Sequence, residues 1–364
     1  MSRLLAALLA AFLAQFAGAA RARRPEVRLD PRVELSAALH LLASAPRRPL
    51  PGFRDDGGAY ARLLSSATAA ERGHPAVAAY ARAFARPTPG GYSFMTPAHE
   101  LRRCLDDSLR LRTDVPDCRR SSLAFAAADF AARTRFAALM PRLAALEARP
   151  LKALRRGRAR ADLQSVYEKY SGLKTVRQRI APSPLLESGR VWNDYAAPEG
   201  GRPARILTVI SPDVAGSSGP AVFSWGPVMT NVWHEQSHAL LNAAADAADA
   251  ADGPPPPGAP PSCYGSWTQC VREHVAQGTA LRLVQIARRT GYPPDAPDAA
   301  TNERLPWQAL VADWLRDGYE GHRDRYKTLR DFVPVIVRRL RAQAALLPPR
   351  PGPPATEAQA GAAR

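Results

Sequence analysis

The chain has 364 residues, 46% of them hydrophobic, and a formal net charge of +17 at pH 7. That length is enough for one large domain or for two lobes that share a cleft. The charge comes mainly from arginine, since lysine occurs only at positions 152, 169, 174 and 327. The arginine-rich run at 155–160 has no interleaved aromatic residue, and no DNA- or RNA-recognition motif is present. The composition therefore argues against a nucleic-acid partner and leaves attraction to an anionic envelope open.

Residues 1–19 have the form of a secretory signal peptide. A short positive start is followed by an apolar stretch from Leu4 to Phe16 and then by small residues. Cleavage after Ala19 or Ala22 would leave roughly 340 residues in the periplasm or outside the cell. The alternative is a retained membrane anchor, because an apolar stretch of about 17 residues is at the lower limit for crossing a bilayer. We favour cleavage, and we expect no stable membrane insertion afterwards.

Residues 25–175 are predicted to form a helical N-terminal lobe. Apolar periodicity and helix start and stop signals predict its helices at Val33–Ser44, Gly58–Ala69, Pro75–Ala85, Pro97–Leu111, Ser121–Glu147 and Ala161–Tyr170. The two early histidines, His74 and His99, are interpreted as structural.

The four cysteines form two local pairs, Cys104 with Cys118 and Cys263 with Cys270. These pairings are predicted as disulfides because a short loop is entropically easiest to close where the chain already turns. Disulfides agree with export. The spacing does not match a structural zinc site made of thiolates.

The pattern changes from helices to strands in the second part of the chain. Strands are predicted at Arg205–Ser211 and Ala221–Trp225, directly before an apolar helix. Residues 176–347 are therefore predicted as a second lobe, which makes the protein α+β and predominantly helical. The tail at 348–364 is rich in proline, alanine and glycine and is predicted to be disordered.

Residues 234–238 read His-Glu-Gln-Ser-His, which is the H-E-x-x-H signature of many zinc metallopeptidases. On a helix His234 and His238 lie one turn apart on one face, so both imidazoles can reach one metal ion. This composition would produce the pattern by chance only ~0.005 times. A polar stripe runs along the same apolar helix and consists of Asn231, His234, His238 and Asn242. The alternative is histidines that are hydrogen-bonded within a core. Motif and stripe together favour zinc. Two roles stay open for the asparagines, which either orient the imidazoles or cap packing interactions.

A catalytic zinc usually takes three protein ligands. The residues after His238 contain no Gly-x-x-His, which excludes the metzincin pattern. The next predicted helix, from about Thr268 to Arg289, contains Glu273 and His274 side by side. Glu273 is in line with the small and apolar stripe that should face inward, so it is the predicted third ligand. His274 is the alternative.

Several segments occur in an order that resembles a known arrangement: Val33–Ser36, the stretch around Tyr60, His74–Val77, Ile206–Pro212, His234–Asn242, Val271–Val275 and Tyr326–Phe332. They resemble an uncharacterised bacterial family of unknown function with a gluzincin-like zinc metallopeptidase core. The resemblance covers most of residues 27–345, but only the H-E-x-x-H motif and the later Glu273 are specific. It implies a zincin-like core and a metal-dependent peptidase, and little about substrate. The proline-rich insertion at 253–261 departs from the pattern.

The predicted reaction is hydrolysis of a peptide or protein by a zinc-activated water. Glu235 is the predicted general base, which takes the water proton and later passes it to the leaving amine. The oxyanion needs a further donor, for which the candidates are Tyr319, His322 and Tyr326. Tyr319 is the residue that we choose. In zincins the edge strand of the sheet borders the cleft, where it can pair with an extended substrate.

Three functions remain open from the sequence. The leading hypothesis is an exported zinc endopeptidase or aminopeptidase. The second is a peptidase-like binding protein of the cell envelope without turnover, and the third is a structural envelope protein in which the motif is coincidental. Glu235 and the three candidate ligands are all present, which disfavours the second. Substrate, cleavage specificity and oligomeric state stay open.

Overall fold

The structure is a computed structural model that describes residues 25–44, 50–53, 57–86, 95–160, 163–187, 191–196, 205–213, 221–223, 225–256, 266–289 and 305–347. The predicted signal peptide, the predicted disordered tail and Cys263 lie outside these residues. The described part of the chain is predominantly helical with one small sheet, which confirms the α+β class.

The helices of the first part of the chain are α1 (Pro31–Ala43), α2 (Ala59–Thr68), α3 (Pro75–Phe84), α4 (Met95–Cys104), α5 (Ser122–Arg133), α6 (Phe136–Leu146), α7 (Ala148–Arg160) and α8 (Leu163–Ser171). The helix that was predicted over Ser121–Glu147 is divided into α5 and α6, because Arg135 adopts a left-handed backbone with φ 50°. The helix predicted to reach Leu111 ends at Cys104, where the chain turns back to form a bridge between Leu105 and Leu111. His74 has a structural role, since its ring caps α3 by accepting the backbone N–H of Ala76.

The sheet has four strands among the described residues: β1 (Glu26–Val27), β2 (Arg177–Pro182), β3 (Val191–Ala196) and β4 (Arg205–Ile210). Their order is β1-β2-β4-β3, with β1, β2 and β4 parallel and β3 antiparallel to β4 at the edge. The prediction of β4 is confirmed. The prediction of a strand over 221–225 is wrong, because residues 221–223 have no regular structure and Trp225 begins the next helix. A short apolar run cannot be assigned to a strand or a helix by periodicity alone.

The second part of the chain contains α9 (Trp225–Ala251), α10 (Trp267–Arg289), α11 (Gln308–Trp314), a π-helical turn (Leu315–Tyr319) and α12 (Leu329–Ala345). The helix predicted from about Thr268 is thereby confirmed as α10. Helix α9 packs against both α10 and α12, and α11 packs against α10. Glycine at position 278 allows α11 to pack closely on α10, since a Cβ atom at that position would overlap the side chain of Val311.

Apolar clusters cover both faces of the sheet, which is the usual arrangement for parallel strands. On one face Leu207 and Val209 of β4 pack with the core of α1–α6. On the other face Ile210 packs in a cluster that includes Tyr167 of α8 and Trp233 of α9. Helix α8, which the sequence placed in the N-terminal lobe, therefore packs beneath the helix that carries the H-E-x-x-H motif. The division into lobes at 175–176 stays a prediction.

Helix α1 contains a carboxyl group that is removed from solvent. Glu34 is fully buried, and its Oε2 accepts a hydrogen bond of 2.8 Å from the hydroxyl of Tyr60 on α2. Burial raises the pKa of Glu34 to about 8, although the hydrogen bond from Tyr60 opposes the change. Burial therefore favours the protonated form of Glu34 in the folded protein.

One disulfide is present as predicted. Cys104 and Cys118 are bonded, buried and 14 residues apart, with a Cα–Cα distance of 5.0 Å. Cys270 is also buried and is not a free thiol, while its predicted partner Cys263 lies outside the described residues. A buried disulfide is compatible with an exported protein.

The loop that the disulfide closes contributes Asp107 to an ion-pair network. This carboxylate lies 2.5 Å from Arg28, 3.1 Å from Arg32 and 3.0 Å from Arg179. Partial burial raises the pKa of Asp107, but the hydrogen bond from Arg179 and the arginine charges hold it well below the usual value. The network connects the chain around β1 and the first turn of α1 to β2.

None of the helices in the part of the chain that the structure describes combines the length and the apolar character needed to cross a bilayer.

Candidate metal centre

The two middle residues of the H-E-x-x-H motif fix helix α9 in place. The side-chain amide of Gln236 donates a hydrogen bond of 2.7 Å to the backbone carbonyl of Val176 and accepts one of 2.9 Å from the backbone N–H of Val176. It thus pairs with Val176 as the backbone of a neighbouring strand would. Ser237 donates to the carbonyl of Trp233 at 2.8 Å and accepts from the hydroxyl of Tyr167 at 3.2 Å. Gln236 and Ser237 are both fully buried. This face of α9 is thus held against the start of β2 and against α8, which directs the motif histidines towards α10.

Three potential ligand atoms converge between α9 and α10. The Nε2 atoms of His234 and His238 are 3.0 Å apart, and Glu273 Oε2 lies 3.4 Å from the first and 3.6 Å from the second. Ligand atoms at tetrahedral angles and 2.0–2.1 Å from a zinc ion are about 3.3 Å apart. The three separations fit that value, so the two histidines and Glu273 form a donor set of the size that zinc requires.

A second carboxylate belongs to the same group. Glu235 Oε1 lies 3.5 Å from His234 Nε2, and the ligand atoms of His234, Glu235 and His238 all lie within 4.8 Å of one another. Glu273 is the better third ligand by distance, because its Oε2 is nearly equidistant from both imidazoles. Glu235 then lies beside the donor set. We refer to His234, Glu235, His238 and Glu273 as the metal-site cluster.

Two amide side chains orient members of this cluster. Asn242 Oδ1 lies 3.1 Å from His238 Nδ1. Because an amide oxygen only accepts, the hydrogen of this bond belongs to Nδ1, and Nε2 is the ring nitrogen that faces the cluster. Gln269 Nε2 donates to Glu273 Oε1 at 2.7 Å. The sequence reasoning anticipated Asn242 but missed Gln269, although its position four residues before Glu273 placed it on the same helix face. The predicted orienting role of Asn231 stays a prediction.

The ionisable side chains of the metal-site cluster change one another's pKa values. Burial lowers the pKa of His238, but the hydrogen bond to Glu273 and the charges of both glutamates raise it to about 9. Burial alone would raise the pKa of Glu273, yet its hydrogen bonds with the two histidines hold it far below the usual value. Burial raises the pKa of Glu235. His234 Nδ1 is buried without a hydrogen-bond partner among the described residues. A site that holds protons in this way releases them when a cation binds.

The alternative ligand His274 has a different environment. It is fully buried, its Nδ1–H donates to the carbonyl of Cys270 at 2.8 Å, and its Nε2 accepts the backbone N–H of Trp307 at 3.3 Å. Both ring nitrogens are therefore used within the core, and burial lowers the pKa of His274 to about 4. His274 holds α10 to the segment before α11.

Tyr319, the predicted oxyanion donor, is fully buried. Its hydroxyl donates to the carbonyl of Tyr170 at 2.9 Å, and the guanidinium of Arg323 lies 4.4 Å from the centre of its ring. The other two candidates, His322 and Tyr326, line a pocket of about 290 Å³ beside α12. Among the described residues, no hydrogen bond or ion pair joins these three side chains to the metal-site cluster, and the catalytic role of Tyr319 stays a prediction.

Comparison of the chain with models of protein families, with curated proteins and with solved structures found no match. Function therefore has to be inferred from the chemistry of the metal-site cluster.

Proposed function

We propose that the protein is an exported zinc-dependent peptidase. The supporting observation is the convergence of His234 Nε2, His238 Nε2 and Glu273 Oε2 within 3.0–3.6 Å of one another from two packed helices. Two imidazoles and one carboxylate are the protein ligands of many catalytic zinc sites, in which the fourth position is left to water. A group of this kind with a second glutamate beside it fits hydrolysis better than a purely structural zinc site, which usually has four protein ligands.

Glu235 is the proposed general base. When bound, zinc supplies a Lewis acid that lowers the pKa of water and polarises a carbonyl oxygen. The carboxylate of Glu235, next to His234, takes the proton of the attacking water and later delivers it to the amine that leaves. Gln236 and Ser237 bind α9 to Val176 and Tyr167, so the carboxylate keeps its position relative to the ligands during this transfer.

The sheet edge favours a peptide over a small molecule as substrate. Strand β3 is the longer of the two edge strands of the sheet, and on its outer side no strand partner is found among the described residues. Helix α9 packs against both β4 and β3, so this edge lies close to the helix with the motif. An extended peptide can add to such an edge through backbone hydrogen bonds, which recognise the chain without regard to its side chains.

The first test is the metal content and hydrolytic activity of the purified mature protein. We expect about one zinc per chain, with cleavage of at least one member of a peptide library. Glu235→Gln should keep the zinc and lower turnover by ~10²–10⁴, because the amide cannot accept the proton. Glu71→Gln is the matched control, since it makes the same change at a carboxylate that pairs with Arg133 outside the cluster. Wild-type rates in the Glu235→Gln variant would exclude Glu235 as the base.

One observation favours a second candidate function. The hydroxyl of Tyr319 is engaged with the backbone of Tyr170, so the donor chosen for the oxyanion is already occupied. A binding protein of the cell envelope with a peptidase-like site would retain the metal and lack turnover. Zinc in the wild-type protein without cleavage of any library peptide would favour that candidate. If the purified protein contains no zinc, the remaining candidates are a binding protein that uses no metal and a structural protein.

Export is tested separately by N-terminal sequencing of protein recovered from producing cells. We expect the mature chain to begin near Ala20, since small residues there suit signal peptidase. A chain in the envelope that still begins at Met1 would support the anchor instead.

A further inference from the structure

The two carboxylate oxygens of Glu273 have different partners. Oε2 faces the imidazoles of His234 and His238 at 3.4 and 3.6 Å. Oε1 points the other way and accepts a hydrogen bond of 2.7 Å from the Gln269 amide. We infer that Gln269 is a positioning residue that restricts Glu273 to coordination through Oε2 alone. This inference rests on the proposed zinc site.

Contacts in the first turn of α10 fix the position of Gln269. The backbone N–H of Gln269 bonds to Ser266 Oγ at 3.2 Å in the first turn of the helix. Next to it the indole of Trp267 donates to Asp249 of α9 at 2.6 Å, and Arg341 of α12 binds the same carboxylate at 2.6 Å. Three helices therefore meet where α10 starts. The Gln269 amide is supported by these contacts and can hold Glu273 in turn.

One-oxygen coordination matters for what a zinc site can do. A carboxylate that binds through both oxygens occupies an additional coordination position, which competes with the position that a catalytic site reserves for water. A hydrogen bond to Oε1 lowers its capacity to donate to the metal and fixes the rotation of the carboxylate plane. Because the amide is neutral, Gln269 does this without cancelling the negative charge of Glu273.

The chain offers a matched control on the same helix. Gln269 and Gln277 lie four residues before and four residues after Glu273, and both side chains are partly buried. Among the described residues, no hydrogen bond joins Gln277 to Glu273. Removal of the two amides should therefore have different effects if the hydrogen bond is what matters.

The experiment measures zinc affinity by chelator competition and the visible spectrum of the cobalt(II)-loaded protein. It compares wild type with Gln269→Ala, Gln269→Glu and Gln277→Ala, and thermal unfolding of each metal-free protein verifies the fold. Gln269→Ala should weaken zinc binding by ~10–100-fold. It should also weaken the cobalt absorption, since five-coordinate cobalt absorbs less than tetrahedral cobalt. Gln269→Glu, which keeps the size of the side chain, should weaken zinc binding at least as much because it cannot donate and repels Glu273. Gln277→Ala should match wild type in both measurements.

The outcomes separate this inference from the proposed function. If wild type binds zinc and both Gln269 variants retain its affinity and spectrum, the positioning role is overturned while the zinc site stands. An equal loss in Gln277→Ala would also overturn it, by showing a general response of the helix. If wild type binds no zinc, the proposed function and this inference both fail.

Discussion

Replacement of Glu34 by glutamine should change how the stability of the protein depends on pH. The folded protein holds the Glu34 proton up to a pKa of about 8, whereas the ordinary value is 4.5. Between these values the folded state binds one more proton than the unfolded state, so the free energy of unfolding falls as pH rises. The contribution is fully present below pH 4.5 and is lost as pH passes about 8. Glutamine is neutral throughout and can still accept the hydrogen bond from Tyr60.

The size of the effect follows from the two pKa values. A rise from 4.5 to about 8 corresponds to roughly 5 kcal/mol in total, since each pH unit is worth ~1.4 kcal/mol. Between pH 6 and pH 8 the wild-type protein should lose about 2 kcal/mol relative to Glu34→Gln. His274 is neutral in the folded protein over this window, because its pKa is about 4, but it is partly protonated in the unfolded chain near pH 6, where its ordinary pKa is 6.5. This contribution opposes that of Glu34 and is the same in both proteins. The difference between the two proteins removes the contributions of the remaining groups.

Urea unfolding followed by tryptophan fluorescence provides the measurement, with the free energy of unfolding determined at pH 6 and pH 8 for each protein. Glu26→Gln is a suitable control, because Glu26 is a partly exposed carboxylate that pairs with Arg28 and Arg179. It should retain the wild-type fall in stability. If Glu34→Gln and wild type change in parallel between the two pH values, Glu34 is not protonated in the folded protein and the reasoning is wrong.

Three further predictions concern the metal site, the disulfide and the ion-pair network. Glu273→Ala should weaken zinc affinity by well over ~tenfold in chelator competition, whereas His274→Ala should lower only the free energy of unfolding; the reverse result would exclude Glu273 as ligand. Replacement of Cys104 and Cys118 by serine should cost about 3 kcal/mol in urea unfolding, because the bond closes a loop of 14 residues. Asp107→Asn should lower the free energy of unfolding at neutral pH and reduce the loss of stability in acid. The reason is that the pKa of Asp107 is lower in the folded protein than its ordinary value of 3.8, so its carboxylate stabilises the fold above pH 3.8, and this stabilisation is lost as the pH falls. Unfolding at pH 7 and pH 3 measures it, and an unchanged acid response would contradict it.

The features that the sequence predicted well are local ones. His234 and His238 are one helical turn apart, so their shared face follows from helix geometry alone. Glu273 was chosen because it lies on the inward stripe of its helix, and the structure brings it to both imidazoles. Gln269 could have been found by the same spacing rule, applied one turn before Glu273.

The features that the sequence missed depend on residues far apart in the chain. Strand β1 has only two residues, and it becomes a strand because Val27 pairs with Ile180. Strand β2 begins Arg-Gln-Arg and lacks the alternating pattern of a half-buried strand, since apolar clusters cover both of its faces, one at Ile180 and the other at Ala181. The choice of Tyr319 rested on residue type, and its hydroxyl is bound to the carbonyl of Tyr170, 149 residues earlier. Such pairings are not encoded in any local window.

The anchoring of Gln236 and Ser237 has a consequence for the mutational tolerance of the motif. Positions written as x in H-E-x-x-H are formally open to any residue, but here each carries hydrogen bonds that a different side chain would break. In a complete substitution library selected for function, position 236 should accept few replacements, because no other side chain of that length pairs with both the N–H and the carbonyl of Val176. Position 237 should accept only small residues beneath Tyr167. All five positions of the motif would then be restricted in sequence. His234, Glu235 and His238 would be restricted by the chemistry of the site, and Gln236 and Ser237 by the packing of α9.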